Sequence, residues 1–163
     1  MTKFQVALLL LGSLATVALG GDDFNPPERY VYNAELIDVY DGDTVTVRID
    51  HGFNISSVQK IRLMGIDTPE RRGPQKKMGM EARERFLQLA PIDGTIILKT
   101  VKDRTGKYGR YMGIIFSEDE AGWFSVNNRL VTEGYADEYN GIGKRRDWTK
   151  FTYPLEKSRK AVK

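Results

Sequence analysis

From Val31 onward the chain alternates between short strand-like runs and helical stretches. Val31 to Tyr40 is rich in β-branched and aromatic residues, and Thr44-Val45-Thr46-Val47-Arg48-Ile49 is apolar at every second position. That period of two belongs to a strand with one buried face. His51-Gly52-Phe53-Asn54 reads as a turn and Val58 to Ile66 as a third strand. From Gly79 to Ala90 the period lengthens, with Ala82, Phe86 and Leu89 on one helical face and Pro91 and Gly94 beyond the end. Thr95 to Lys102 and Tyr108 to Phe116 are two more strands around a Gly-containing turn. Ser125 is placed to cap a second helix, Val126 to Glu133, which Gly134 stops. Pro154 suits the first turn of a basic terminal helix, Leu155 to Lys163. Five strands with a helix between the third and fourth, and about three helices in all, predict a mainly β single domain built on a five-stranded OB-fold barrel.

A different pattern stands ahead of this. Lys3 is followed by an uncharged run from Phe4 to Gly21, ended by Asp22 and Asp23. A basic start, an apolar stretch and small residues near Ala18 and Gly20 predict that residues 1–20 are a signal peptide or an N-terminal membrane anchor. The expectation is an exported protein, secreted or periplasmic, touching membrane only through that segment. Residues 21–29, with Pro26 and Pro27, read as a linker, and 30–163 as the folded domain.

Composition narrows the chemistry. The 163 residues suit one domain, and 40% apolar with 29% charged residues excludes both disorder and a multi-span membrane protein. With no cysteine and one histidine, His51, thiolate and multi-histidine metal sites are excluded. Catalysis must rest on carboxylates, arginines, hydroxyls and a hard metal. The net charge of +3 conceals a division: eight of the 25 basic but only two of the 22 acidic residues lie in 144–163. The tail is therefore +6 and the body −3.

Three motifs carry candidate chemistry. Asp41-Gly42-Asp43-Thr44 is an ordinary hairpin turn by composition, because Asp and Gly tolerate the positive φ that tight turns need. Yet Asp43 shares parity with Val45, Val47 and Ile49, and a carboxylate on that apolar side needs a cation or several donors. It is no EF-hand, because Val45 and Gly52 stand where oxygen ligands should be. In the second motif, Arg62 through Glu70, a straight strand would put Arg62 and Asp67 on opposite faces. A shared site requires a bend near Gly65; otherwise this is a strand end and a solvated loop. The third, Asp103-Arg104-Thr105-Gly106-Lys107-Tyr108-Gly109-Arg110, is either a solvated basic turn or a phosphate clamp with an aromatic platform. Taken together, two carboxylates with a carbonyl suit Ca²⁺ or Mg²⁺, two arginines suit a phosphodiester, and Glu70 is left to handle water.

These three motifs, in this order and spacing, resemble the staphylococcal nuclease (thermonuclease-like) family, with further similarity at Gly79-Met80-Glu81-Ala82 and Val126 to Val131. The resemblance spans about residues 30–160. It implies an OB-fold barrel and Ca²⁺-dependent hydrolysis of DNA and RNA to 3′-phosphate products. It assigns Asp43, Asp67 and the Thr68 carbonyl to the metal, Glu70 to the attacking water, and Arg62 and Arg110 to the phosphate. Lys107 and Tyr108 correspond to groups near the nucleotide's terminal phosphate. The stretch Gly134 to Tyr139 is shorter than its family counterpart, which leaves Tyr139 as the candidate base platform and Tyr135 as a core residue. His51 matches no catalytic position. The expectation is a monomeric nuclease with nucleic acid as its substrate. A non-catalytic OB-fold binding module and a phosphodiesterase for small nucleotides are the alternatives.

Overall fold

The computed structural model describes residues 28–105 and 110–150, with the backbone alone at 102–105. The leader, most of the linker, Lys107, Tyr108 and the terminal helix expected at 155–163 lie outside the described residues. Five long strands make the body: β1 (Val31–Asp41), β2 (Thr44–Asp50), β3 (Ser56–Leu63), β5 (Thr95–Thr105) and β6 (Tyr111–Asp119). A two-residue strand, β4 (Ile66–Asp67), follows β3, and β7 (Gly122–Ser125) and β8 (Asp137–Glu138) complete the set. Helix α1 (Lys76–Leu89) lies between β4 and β5, and α2 (Val126–Thr132) follows β7.

The sheet runs β3-β2-β1-β5-β6-β7 and closes through a parallel pairing of β3 with β6, the predicted OB-fold barrel. Closure gives β3 a second neighbour and so covers an edge that would otherwise invite pairing with another chain. Alternation on each strand fills the interior: Leu36 and Val39 from β1, Val45 and Val47 from β2, Ile61 and Leu63 from β3, and Ile96 and Leu98 from β5 are fully buried. Helix α1 covers one side with Ala82, Phe86 and Leu89. Full burial of a side chain such as Phe86 contributes about 1.5–3 kcal/mol. Tyr135 packs against this core, as expected, and His51 stands exposed with Nε2 2.7 Å from Ser57 Oγ.

Several boundaries differ from the expected ones for local reasons. The third strand breaks at Met64-Gly65, where Gly65 takes φ +81°, so Ile66 and Asp67 leave the barrel sheet and pair with β8. Helix α1 starts at Lys76 rather than Gly79, because the turn Gly73–Gln75 leads straight into it and buried Met78 extends its apolar face one turn earlier. The strand expected at 108–116 runs from Tyr111 to Asp119. Ser125 caps α2 as predicted, its hydroxyl accepting from the Asn128 amide at 3.3 Å.

Buried Asn127 fixes the bend. Its carbonyl accepts from the Ile115 amide (3.1 Å), and its amide donates to the Met64 (2.9 Å) and Gly113 (3.3 Å) carbonyls. The backbone that leaves the barrel after β3 is thereby tied to α2 and β6. On the other flank, Gly79 of α1 abuts the loop after β4: a Cβ there would lie 2.5 Å from the Glu70 carbonyl oxygen and 2.7 Å from that of Pro69. Backbone cannot yield as a flexible side chain can. Gly79→Ala is expected to cost about 1–3 kcal/mol through overpacking, despite alanine's better helix propensity. Urea denaturation measures this, and an unchanged or raised midpoint would show that helix and loop separate freely.

Candidate active site

The site is assembled at one end of the barrel from three connections. The first is the β1–β2 turn, where Asp41 pairs with Thr44 across Gly42 and Asp43. Gly42 does not take a positive φ; it is needed for space, since a Cβ would meet Thr68 Cγ2 at 2.8 Å and Ala82 Cβ at 3.0 Å. The turn is pressed between the Thr68 loop and α1. Asp43 is only 1% exposed, on the apolar side as its parity predicted. Its Oδ2 accepts from the Thr68 amide at 2.8 Å, and its Oδ1 from the Thr44 hydroxyl at 3.2 Å.

The bend at Gly65 brings Arg62 and Asp67 together. The Arg62 guanidinium bridges two buried carboxylates, pairing with Asp43 Oδ1 through Nη1 and with Asp67 Oδ1 at 2.9 Å through Nη2. Burial lowers the Arg62 pKa, opposed by Asp67 and Asp41, but a guanidinium starts so high that it stays charged at neutral pH. Arg110 arrives by the parallel closure: Ile61 pairs with Tyr111, which sets Arg110 beside the end of β3. Its Nη1 donates to the Thr44 hydroxyl at 3.2 Å.

Glu70 is the accessible carboxylate, its side chain 61% exposed, and its backbone amide is held by Gln75 Oε1 at 3.1 Å. Arg62, Glu70 and Arg110 all line one cavity of about 370 Å³. Asp41 and Thr44 line it too, as do Tyr40, Lys60 and Arg145, three residues that none of the motifs singled out. Lys60 was findable by period two from Arg62 on the same strand; Arg145 had no local signal. Tyr40 carries the Arg71 guanidinium over its ring, 4.5 Å from the centroid.

Asp41 is buried at the cavity wall, and desolvation raises its pKa against the lowering effect of the Thr44 hydrogen bond and Arg62. A raised carboxylate pKa means the folded protein holds that proton to higher pH than the unfolded chain does. The stability from this group is full below the ordinary value of 3.8 and is lost as pH rises through the folded value.

Tyr139 adjoins the cavity through Arg145, whose guanidinium lies 5.5 Å from the centre of its ring. It lines a separate recess of about 740 Å³ together with Met64, Gly65, Asn128 and Val131, and not the cavity of Arg62 and Arg110. Its amide donates to the Gly65 carbonyl at 2.8 Å, continuing the β4–β8 pairing.

The donor set at Asp43 and Asp67 suits a hard cation. Both carboxylates are almost fully buried, they converge on one shared positive group, and the adjacent Thr68 hydroxyl is buried without a hydrogen-bond partner. Every nearby donor is oxygen, the preference of Ca²⁺ or Mg²⁺. Among the described residues no cluster of three or more acidic, His or Cys side chains forms a ready cage. Two carboxylates and a carbonyl would leave the remaining positions to water and substrate.

The fold and the site together define an OB-fold barrel whose end gathers two arginines and an open carboxylate over two buried aspartates. The profile of the staphylococcal nuclease homologues matches residues 60–162, more than half of the chain, and the chain belongs to that family. It is also 30% identical over 129 residues to the uncharacterized protein MJ1439 of Methanocaldococcus jannaschii, an alignment covering 66% of this chain and 59% of that relative. The chain thus spans about three fifths of the length of the curated relative it matches.

Proposed function

We propose that this protein is a Ca²⁺-dependent phosphodiester hydrolase that cleaves DNA and RNA and leaves 3′-phosphate ends. The observation that carries the reading is the shared cavity of Arg62, Glu70 and Arg110 beside buried Asp43 and Asp67. Arg62 and Arg110 bind the non-bridging oxygens of the scissile phosphate and offset the charge that grows on them as phosphorus becomes five-coordinate. Glu70, exposed and able to reach solvent, orients a water and takes up its proton as oxygen attacks. The bond from phosphorus to the 5′ oxygen breaks, and that oxygen acquires a proton on leaving. Asp43, Asp67 and the Thr68 carbonyl would hold the cation, which when bound supplies Lewis-acid stabilisation of the same phosphate.

Lys107 and Tyr108 are assigned to the terminal phosphate on the family resemblance. Tyr139 is retained as a base platform only for a strand long enough to pass from the cavity to its recess. Residues 1–20 are proposed to export the protein.

The direct test is degradation of single-stranded DNA and RNA by the purified protein with Ca²⁺ and with chelator. Hydrolysis is expected with the ion alone; equal activity in both would sink the reading. Tight binding without turnover under any divalent ion would favour a binding module, in which Arg62 permanently occupies both aspartates.

Affinity is expected to depend on Ca²⁺ beyond the usual loss with salt, because Asp41, Asp43, Asp67 and Glu70 cancel the positive side chains of the site until the ion adds its charge. Strand binding to Glu70→Gln protein, compared with and without the ion at fixed ionic strength, measures this, and equal affinities would contradict it.

A further inference from the structure

Arg145 reaches the cavity from a segment outside all three motifs. After β8 the chain turns through Gly141 and Gly143, at φ +89° and +90°, and comes back over the site. That path is fastened on both sides. The Tyr139 amide donates to the Gly65 carbonyl at 2.8 Å, Arg146 Nη2 pairs with Asp137 Oδ1 at 2.6 Å, and Trp148 is 1% exposed. Between these clamps the Arg145 guanidinium lies 5.5 Å from the centre of the Tyr139 ring. Its Nη1 is 3.4 Å from Asp67 Oδ1 and 3.6 Å from Glu70 Oε1. Both separations exceed the roughly 2.7–3.2 Å of an N–H···O hydrogen bond, and the side chain is half exposed. Arg145 is therefore held at the site by two long ion pairs, neither of them as close as the pair of Arg62 with Asp67 at 2.9 Å.

We propose that Arg145 is a phosphate-binding residue that takes the phosphate next to the one held by Arg62 and Arg110, so that the site engages two consecutive phosphates of a strand. The inference rests on the phosphodiesterase reading and names its substrate class as polymer. Charge supports it. Lys60, Arg62, Arg110 and Arg145 balance Asp41, Asp43, Asp67 and Glu70 in number. A divalent ion on Asp43 and Asp67 would leave two surplus positive charges, matching two phosphodiesters; without Arg145 the surplus matches one. Position supports it as well: Arg110 enters from the Thr44 side, and Arg145 from the side of Asp67 and Glu70. A guanidinium fork on an already ordered backbone makes bidentate phosphate contacts at little further entropic cost.

The test is fluorescence anisotropy in Ca²⁺ with a labelled single-stranded DNA of about a dozen nucleotides, in Glu70→Gln protein so that the strand survives. Arg145→Ala is expected to weaken binding about tenfold, the scale of one charged hydrogen-bonded contact. The slope of log affinity against log salt should shrink by about 0.7, one phosphate contact on a single strand. Arg145→Lys should keep most of the slope and lose part of the affinity, which a merely structural arginine would not produce. A dinucleotide, with one phosphodiester, should lose less than the strand does. An unchanged slope overturns the proposal, and so does tighter binding by Arg145→Ala, which would make Arg145 a plug on Asp67 and Glu70. If the wild type hydrolyses nucleic acid and the slope is unchanged, this inference alone fails. If the wild type neither hydrolyses nor binds a strand, the phosphodiesterase reading fails and takes this inference with it.

Discussion

Replacing Arg62 by alanine is expected to remove roughly 3–5 kcal/mol of stability from the metal-free protein, the scale for breaking a buried ion pair. One guanidinium serves two carboxylates that are 1% and 3% exposed, Asp43 and Asp67. Without it, Asp43 loses its ion pair and Asp67 keeps only the longer one to half-exposed Arg145, at 3.4 Å, among the described residues. Asp43 keeps the Thr68 amide, which offsets only part of the desolvation. Urea denaturation of metal-free protein measures the loss, and a change below about 1 kcal/mol would mean that water reaches both acids. Arg62→Lys should recover less than half, because a point charge cannot bridge two carboxylates in one plane. Ca²⁺ should raise the denaturation midpoint of Arg62→Ala, if the same two acids hold the ion.

The second large effect is kinetic. Glu70→Gln and Arg110→Ala are each expected to lower the rate on single-stranded DNA by ~10²-fold or more, the scale for losing a general base or a charge-stabilising donor. Glu70 is a favourable position for the measurement. Its side chain is mostly in solvent and its amide, which holds the loop to Gln75, is untouched by the change. The melting temperature should hardly move, so a lost rate reports chemistry rather than unfolding. Arg110 donates to the Thr44 hydroxyl at 3.2 Å and its charge acts on buried Asp41, so a melting curve of Arg110→Ala is read beside its rate to separate lost chemistry from lost stability. Near wild-type turnover in either variant would contradict the roles proposed for them.

Much of the framework was readable because it follows from local patterns. Alternation in Thr44–Ile49 assigned Asp43 to the apolar side, and the structure places it there, 1% exposed. The Ser125 cap and the short helix after it follow from side-chain chemistry within one turn. The need for a bend at Gly65 came from the mismatch between a five-residue spacing and a two-residue period, and Gly65 takes the left-handed conformation that makes it. The reading of Gly42 was right in place and wrong in cause. Turn chemistry suggested backbone freedom, whereas the contact with Thr68 and Ala82 shows a demand for space.

What sequence alone determined about this protein is therefore the set of strands and helices, the buried side of each, the carboxylates and arginines on offer, and a resemblance strong enough to name their family. Each of these depends on residues a few positions apart, whose geometry the backbone imposes directly. Tertiary structure decided which of those groups share a site. Arg110 stands by Arg62 only because β3 and β6 pair in parallel and close the barrel. Arg145 stands over Asp67 and Glu70 only because Trp148 is buried and Arg146 is held by Asp137. Tyr139 lines a neighbouring recess and meets the cavity through Arg145, a placement that follows from the pairing of β8 with β4. Such meetings depend on how elements distant along the chain bury their apolar faces against one another, and no periodicity within an element records its partner.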